Sequence, residues 1–218
     1  MTEPDAKGTV NSSKLLLMLL AATIFVVPIA PIEIHAILFG VLYSAVFITA
    51  AISMDKRRGL MLGVAGSVMA LDWTAVALDL KVVTSISQLL NTAFFGIVVL
   101  SLIVQIATTR RVTLQVIVSA VNGYLLLGTI ASVLVALIVL HEPGAFNFPP
   151  LPAGVPADVS RFGEYLYYGF VTFTTVGYGD VVPQLSYTRS LATLIGVTGQ
   201  MYVAIIIAML VGKYSASN

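Results

Sequence analysis

The chain contains no cysteine. Disulfides, thiolate metal sites and a cysteine nucleophile are therefore excluded. Histidine occurs only twice, as His35 and His141, too far apart in sequence to suggest a catalytic constellation, and no enzyme activity is expected. Charge is scarce as well. Only 10% of the 218 residues are charged, against roughly 25% in a soluble domain. The net charge of +1 gives no sign of nucleic-acid binding. Internal repeats and low-complexity tracts are also missing. What is present is apolar: 58% of residues are hydrophobic and the mean hydropathy is strongly positive. That balance describes a multi-pass integral membrane protein in contact with lipid.

A bilayer core of about 30 Å needs about 20 apolar residues per helix. Six apolar runs meet or approach that length: 14–32, 34–53, 59–80, 86–108, 112–141 and 187–212. Run one has a second reading as a cleaved signal peptide, but it is longer than such a core and acids precede it. Lys7, Lys14, Lys56, Arg57, Arg58, Arg110, Arg111 and Lys213 make eight of eleven basic residues that fall on one side. The positive-inside rule makes that side cytoplasmic. Glu33, Asp79, Glu142, Asp158, Glu164 and Asp180 fall on the other. Both termini, 1–13 and 214–218, are then cytoplasmic, and no cytosolic ligand-binding domain is expected after Lys213.

Between runs five and six, residues 142–160 hold Pro143, Pro149, Pro150, Pro152 and Pro156. Prolines this dense do not form a helix interior, so the segment is an extracellular loop. Helical signal resumes near Arg161, with Ser160 as N-cap and Glu164 in the first turn, where the helix dipole favours an acid. This half-helix, 161–174, is too short to span and reads as re-entrant. Directly after it stands Thr174-Thr175-Val176-Gly177-Tyr178-Gly179-Asp180.

That heptad, between a short amphipathic helix and a membrane helix, resembles the selectivity filter of the potassium channel family. The resemblance is close over 164–211 and looser over run five. It implies that the carbonyls of Thr175, Val176, Gly177 and Tyr178 bind potassium ions, with the Thr175 hydroxyl at the inner end. Successive carbonyls point one way only if the backbone alternates between left- and right-handed regions, and Gly177 and Gly179 permit this at little cost. Tyr178 would point away and brace the filter. Asp180 would accept a bond from Tyr167 or Tyr168, where many relatives carry tryptophan. One filter copy supplies one quarter of a ring, so a homotetramer is implied. Related uptake transporters instead carry four degenerate copies in one chain.

The family carries a hinge glycine on the inner helix, and Gly199 stands at that position. The alternative reading is that small residues let membrane helices pack closely. Helical spacing from Gly199 turns Gln200, Val203, Ala204, Ile207, Ala208 and Val211 towards the pore. Ile207 and Val211 would form an apolar constriction. Gln200 is either solvated in the cavity or satisfied between subunits, since an amide in a membrane is otherwise costly.

Four helices before a pore match the layout of a voltage-gated channel, but run four, 86–108, has no arginine or lysine. A moved charge is worth about 2.3 kcal/mol per 100 mV, so weak voltage dependence is expected. Asp72 is the one acid deep in these helices, and Asn91 lies within reach on the next. Without a basic neighbour a protonated carboxyl is expected there, either as a packing residue or as a proton or cation sensor. His35 and His141 read as interfacial residues.

The expectation is an all-α membrane protein. Residues 14–108 form a peripheral four-helix domain, and 109–213 form the pore domain with its outer helix at 112–141, filter at 175–180 and inner helix at 187–212. The implied activity is passive potassium conduction, with no cofactor beyond the permeant ion. A non-conducting subunit that keeps the pore fold, and a channel open without stimulus, are the alternatives. A prokaryotic inner membrane is compatible with the absence of cysteine.

Overall fold

A computed structural model describes residues 5–31, 34–53, 58–78, 80–109, 112–150 and 161–215. The described residues are helical, joined by turns, with no strand beyond an isolated bridge between Phe146 and Pro183. The helices are α1 (Asp5–Ala21), α2 (His35–Ile52), α3 (Arg58–Ala77), α4 (Lys81–Thr108), α5 (Leu114–His141), α6 (Phe162–Phe173) and α7 (Ser186–Ser215).

Four stretches are long and apolar enough to cross a membrane: Asn11–Ile29, Leu89–Thr108, Leu114–His141 and Ser186–Ser215. The apolar parts of α2 and α3, Ile37–Ile52 and Gly59–Ala75, are shorter. Six apolar helices thus match six apolar runs, while four meet the length of a span.

Local chemistry sets the ends. Beyond Ala21, α1 widens into a π-turn, Ala22–Val26, and tightens into a 3-10 turn, Val27–Ile29. Pro28 explains the change, because it has no N–H and crowds the carbonyl four residues back. The Thr113 hydroxyl caps α5 by accepting from the Val116 amide at 3.4 Å. Some helices outrun their apolar runs. α1 begins at Asp5, α4 at Lys81, and α7 continues to Ser215, because polar residues extend a helix into the interface without lengthening its apolar stretch. The half-helix is one residue shorter at each end than expected. Arg161 and Thr174 are its caps, and Ser160 lies outside the described residues.

One apolar core runs through the molecule. Leu16 and Leu20 of α1, Phe47 of α2, Phe95 of α4, Leu126 of α5 and Leu166 of α6 belong to it. Phe47 stacks on Phe94 at 4.2 Å and meets Phe95 edge-on at 4.8 Å. Phe39 reaches Phe162 at the start of α6, with ring centroids 3.9 Å apart. The first four helices are therefore packed onto the region that carries the filter motif. At 12 residues, α6 is about 18 Å long and cannot cross a core of about 30 Å. It is held instead against α5. A Cβ on Gly169 would fall 2.2 Å from the Ser132 hydroxyl, and one on Gly128 would fall 2.4 Å from Phe170.

Candidate functional site: the α6 turn and the facing α7 helix

The site begins where α6 stops. Thr174 caps it, with its amide and its hydroxyl both donating to the Phe170 carbonyl, at 2.8 and 2.7 Å. The next amides also turn back onto the helix. Thr175 N donates to Thr172 O at 3.0 Å, and Val176 N and Gly177 N share Val171 O at 3.0 and 3.2 Å. The carbonyls of Thr175, Val176, Gly177 and Tyr178 take no part in these bonds. The amides of Thr174, Thr175, Val176 and Gly177 are thus tied back to α6.

The backbone alternates along this stretch. Thr175, Gly177 and Gly179 sit at φ of 62°, 55° and 79°. The two glycines take these values freely. Thr175 does not, and a left-handed threonine costs about 1–2 kcal/mol. Residues held this way need surrounding bonds, and such strain gathers at functional positions. Thr175 has two: its own amide bond to Thr172, and the Gln200 amide, which donates to its hydroxyl at 3.2 Å.

The outer end is braced by side chains. The Tyr167 hydroxyl donates to Asp180 Oδ2 at 2.6 Å. That bond holds the Asp180 carboxyl below its ordinary range and pushes the Tyr167 hydroxyl up to about 12. Tyr168 is buried instead, its ring 5.1 Å from Phe146. Glu164 and Arg161 approach to 3.4 Å without hydrogen-bond geometry. Burial raises the Glu164 carboxyl, and the nearby Arg161 charge lowers it by less. Tyr178 is 72% exposed in the single chain.

α7 faces this turn through Gly199. A Cβ there would lie 2.0 Å from the Phe173 carbonyl. Glycine is required at this point for close packing, and α7 runs through it unbroken. Gln200, Val203, Ala204, Ile207, Ala208 and Val211 are all exposed on the single chain, while Gly199, Tyr202 and Ile206 are buried. The helix thus has a seated face and a free apolar one.

Several contributors carry no sequence signal. The Val171 and Phe173 carbonyls act through backbone alone. Asn147, in the proline-rich loop, accepts from the Val182 amide. Glu142 accepts from the Tyr187 hydroxyl, tying the outer end of α5 to that of α7. The remaining sequence candidates lie apart. Asp72 is on α3 with its side chain outside the described residues, while Asn91 on α4 is buried with its Oδ1 unpartnered. The His35 side chain, Lys56, Arg57, Arg110, Arg111, Glu33, Asp79 and Asp158 also lie outside the described residues. From Val82 to Thr108, α4 has no basic residue. Among the described residues no cluster of histidine and carboxylate could hold a metal ion.

Residues 123–215 match the family model described as ion channel. The matched stretch is less than half of the chain, and it contains most of α5, all of α6 and α7, and the turn between them. No curated protein and no solved structure matches. The chain therefore carries an ion channel domain, whose general activity is passive ion conduction through a membrane.

Proposed function

We propose that the conducted ion is potassium, and that four copies of this chain close the pore around it. The observation that carries this reading is the alternation at Thr175, Gly177 and Gly179, with the amides of Thr175, Val176 and Gly177 bonded back to α6. A dehydrated cation needs equivalent oxygens. Four copies of Thr175, Val176, Gly177 and Tyr178 would supply rings of them without moving any other bond. The exposed Tyr178 and the free face of α7 are the surfaces that a neighbouring copy and a water-filled cavity would meet. In this reading Gln200 lies at the top of that cavity, Ile207 and Val211 narrow its lower end, and both chain termini are cytoplasmic. A non-conducting subunit has no specific observation in its favour.

Reconstitution of the purified protein in planar bilayers, with potassium on one side and sodium on the other, tests the reading. The expected reversal potential lies close to the potassium equilibrium potential. A reversal potential near zero, or no current, would overturn it.

A further inference from the structure

The cytoplasmic end of α7 is fastened to α4 by one side chain. Lys213 Nζ donates to the carbonyls of Ile106, Ala107 and Thr109, the last two at 2.8 and 2.7 Å. An ammonium has three donors, and all three are used. The acceptors belong to the C-terminal turn of α4, where a helix leaves its last carbonyls without internal partners. The carbonyls just before them are met within α4: the Thr108 hydroxyl donates to Val104 O at 2.8 Å, and the Thr109 amide and hydroxyl both donate to Gln105 O, at 3.1 and 2.7 Å. The carbonyls of Ile106 and Ala107, the next two, are met by the ammonium of α7. The negative end of the α4 dipole adds to the attraction.

The fastening has a direction. Tyr202 and Ile206 are buried on the same face of α7, beside Ile106 and Ala120, and the Tyr202 hydroxyl donates to Ala120 O at 2.8 Å. Val203, Ile207 and Val211 are exposed, turned away from that buried face. A pull through Lys213 therefore draws the end of α7 away from the face that would line the pore.

We propose that Lys213 is a clasp that holds the inner helix against the peripheral helices and keeps the cytoplasmic end of the pore apart. It gives α4 a route to the gate that needs no charge within α4: a shift of its C-terminal turn removes the acceptors and frees α7. The gating role rests on the channel reading above, whereas the clasp itself does not.

The test uses full-length protein in planar bilayers with symmetric potassium. Lys213→Met keeps the chain length and removes the donors, and it is expected to lower the ratio of open to closed time about tenfold or more, the scale of lost charge-assisted bonds. Lys213→Arg, which can still donate to carbonyls, should stay within about threefold of the wild type. An unchanged or raised ratio in Lys213→Met would overturn the gating role. Should that variant fail to assemble, Lys213→Gln keeps an amide donor and should fall between the two, and wild-type behaviour in it would count against the proposal. Hydrogen exchange of the full chain in lipid nanodiscs reads the clasp without any current. Lys213→Met should speed exchange over 205–215 about tenfold while α6 stays protected, and equal rates would sink the clasp. A wild-type protein that carries no potassium current but shows this faster exchange would fail the channel reading and leave the clasp standing.

Discussion

The turn after α6 lies at the exposed edge of the fold and the aromatic cluster of α2 and α4 lies in its core, and they are held by different forces. Around Phe47 the contacts are ring against ring, and the buried hydroxyl of Thr49 is satisfied by its own helix, at 2.7 Å from Ala45 O. Around Thr175 the amides of Thr174 to Gly177 are each bonded to a specific carbonyl, and one residue is held in a strained conformation. Apolar contacts tolerate exchange of one large side chain for another. A turn held through its backbone does not, because the direction of its carbonyls depends on single φ values. Separating the two kinds of region is the aim of the substitutions below.

The largest effect is expected at Gly199. Its absent Cβ would stand 2.0 Å from the Phe173 carbonyl, an atom of the backbone immediately before the turn that follows α6. Side chains can rotate away from a clash, but this carbonyl cannot without moving Thr174 and Thr175. Gly199→Ala should abolish selective current and destabilise the protein by about 1–3 kcal/mol, the usual cost of overpacking. Bilayer recording and thermal unfolding check this. A variant with wild-type current and melting temperature would show that α7 yields where the packing says it does not.

Next comes Phe47→Ala, the matched lesion in the peripheral helices. The ring is fully buried and touches Phe94, Phe95 and Tyr43. Truncation of a buried phenylalanine costs about 3–5 kcal/mol in soluble cores, and somewhat less is expected here because lipid is itself apolar. The melting temperature should fall, while the ratio of potassium to sodium permeability stays unchanged. A lost preference for potassium would mean that the two regions are not separable.

The same contrast explains what was legible in the sequence. The heptad Thr174 to Asp180 pointed to a turn with positive φ, because glycines at Gly177 and Gly179 are visible without a structure. Six apolar runs correspond to six apolar helices, of which four are long enough to cross a membrane. Three things were not legible. Thr175 at positive φ is hidden, since threonine normally avoids it. Lys213 read only as a charge on the cytoplasmic side, because a carbonyl acceptor has no residue identity to search for. Gly199 read as a hinge or a packing residue, and only the distance to Phe173 shows that packing demands it.

A smaller effect is expected at Tyr167→Phe, which removes the side-chain donor to Asp180 and leaves the backbone amides of Asp180 and Val181. The bond keeps the Asp180 carboxyl ionised below its ordinary range. For an acid depressed in this way, the stabilising contribution is complete above the ordinary carboxylate pKa and is lost as pH falls through the lower, folded value. The wild-type brace should therefore survive external acid down to about pH 4. In Tyr167→Phe the carboxyl returns towards its ordinary range, and sustained current should decay several-fold faster, with acid sensitivity moved to higher pH. Decay rates recorded across external pH check this, and an unshifted profile would remove Tyr167 from the support of the outer mouth.

Gly96→Ala should do least. Gly96 lies inside α4, and a Cβ there meets nothing within 4 Å. Glycine in a helix interior costs up to about 1 kcal/mol relative to alanine, so the substitution should be neutral or should raise the melting temperature slightly. Conduction should not change, because α4 reaches α7 through its C-terminal carbonyls rather than through this turn. Set beside Gly199→Ala, it is the same chemical change in two helices of one core, with opposite signs expected. If both were destabilising to a similar degree, the packing against Phe173 would not be the reason glycine is needed at Gly199. Helix flexibility, common to both positions, would explain it better.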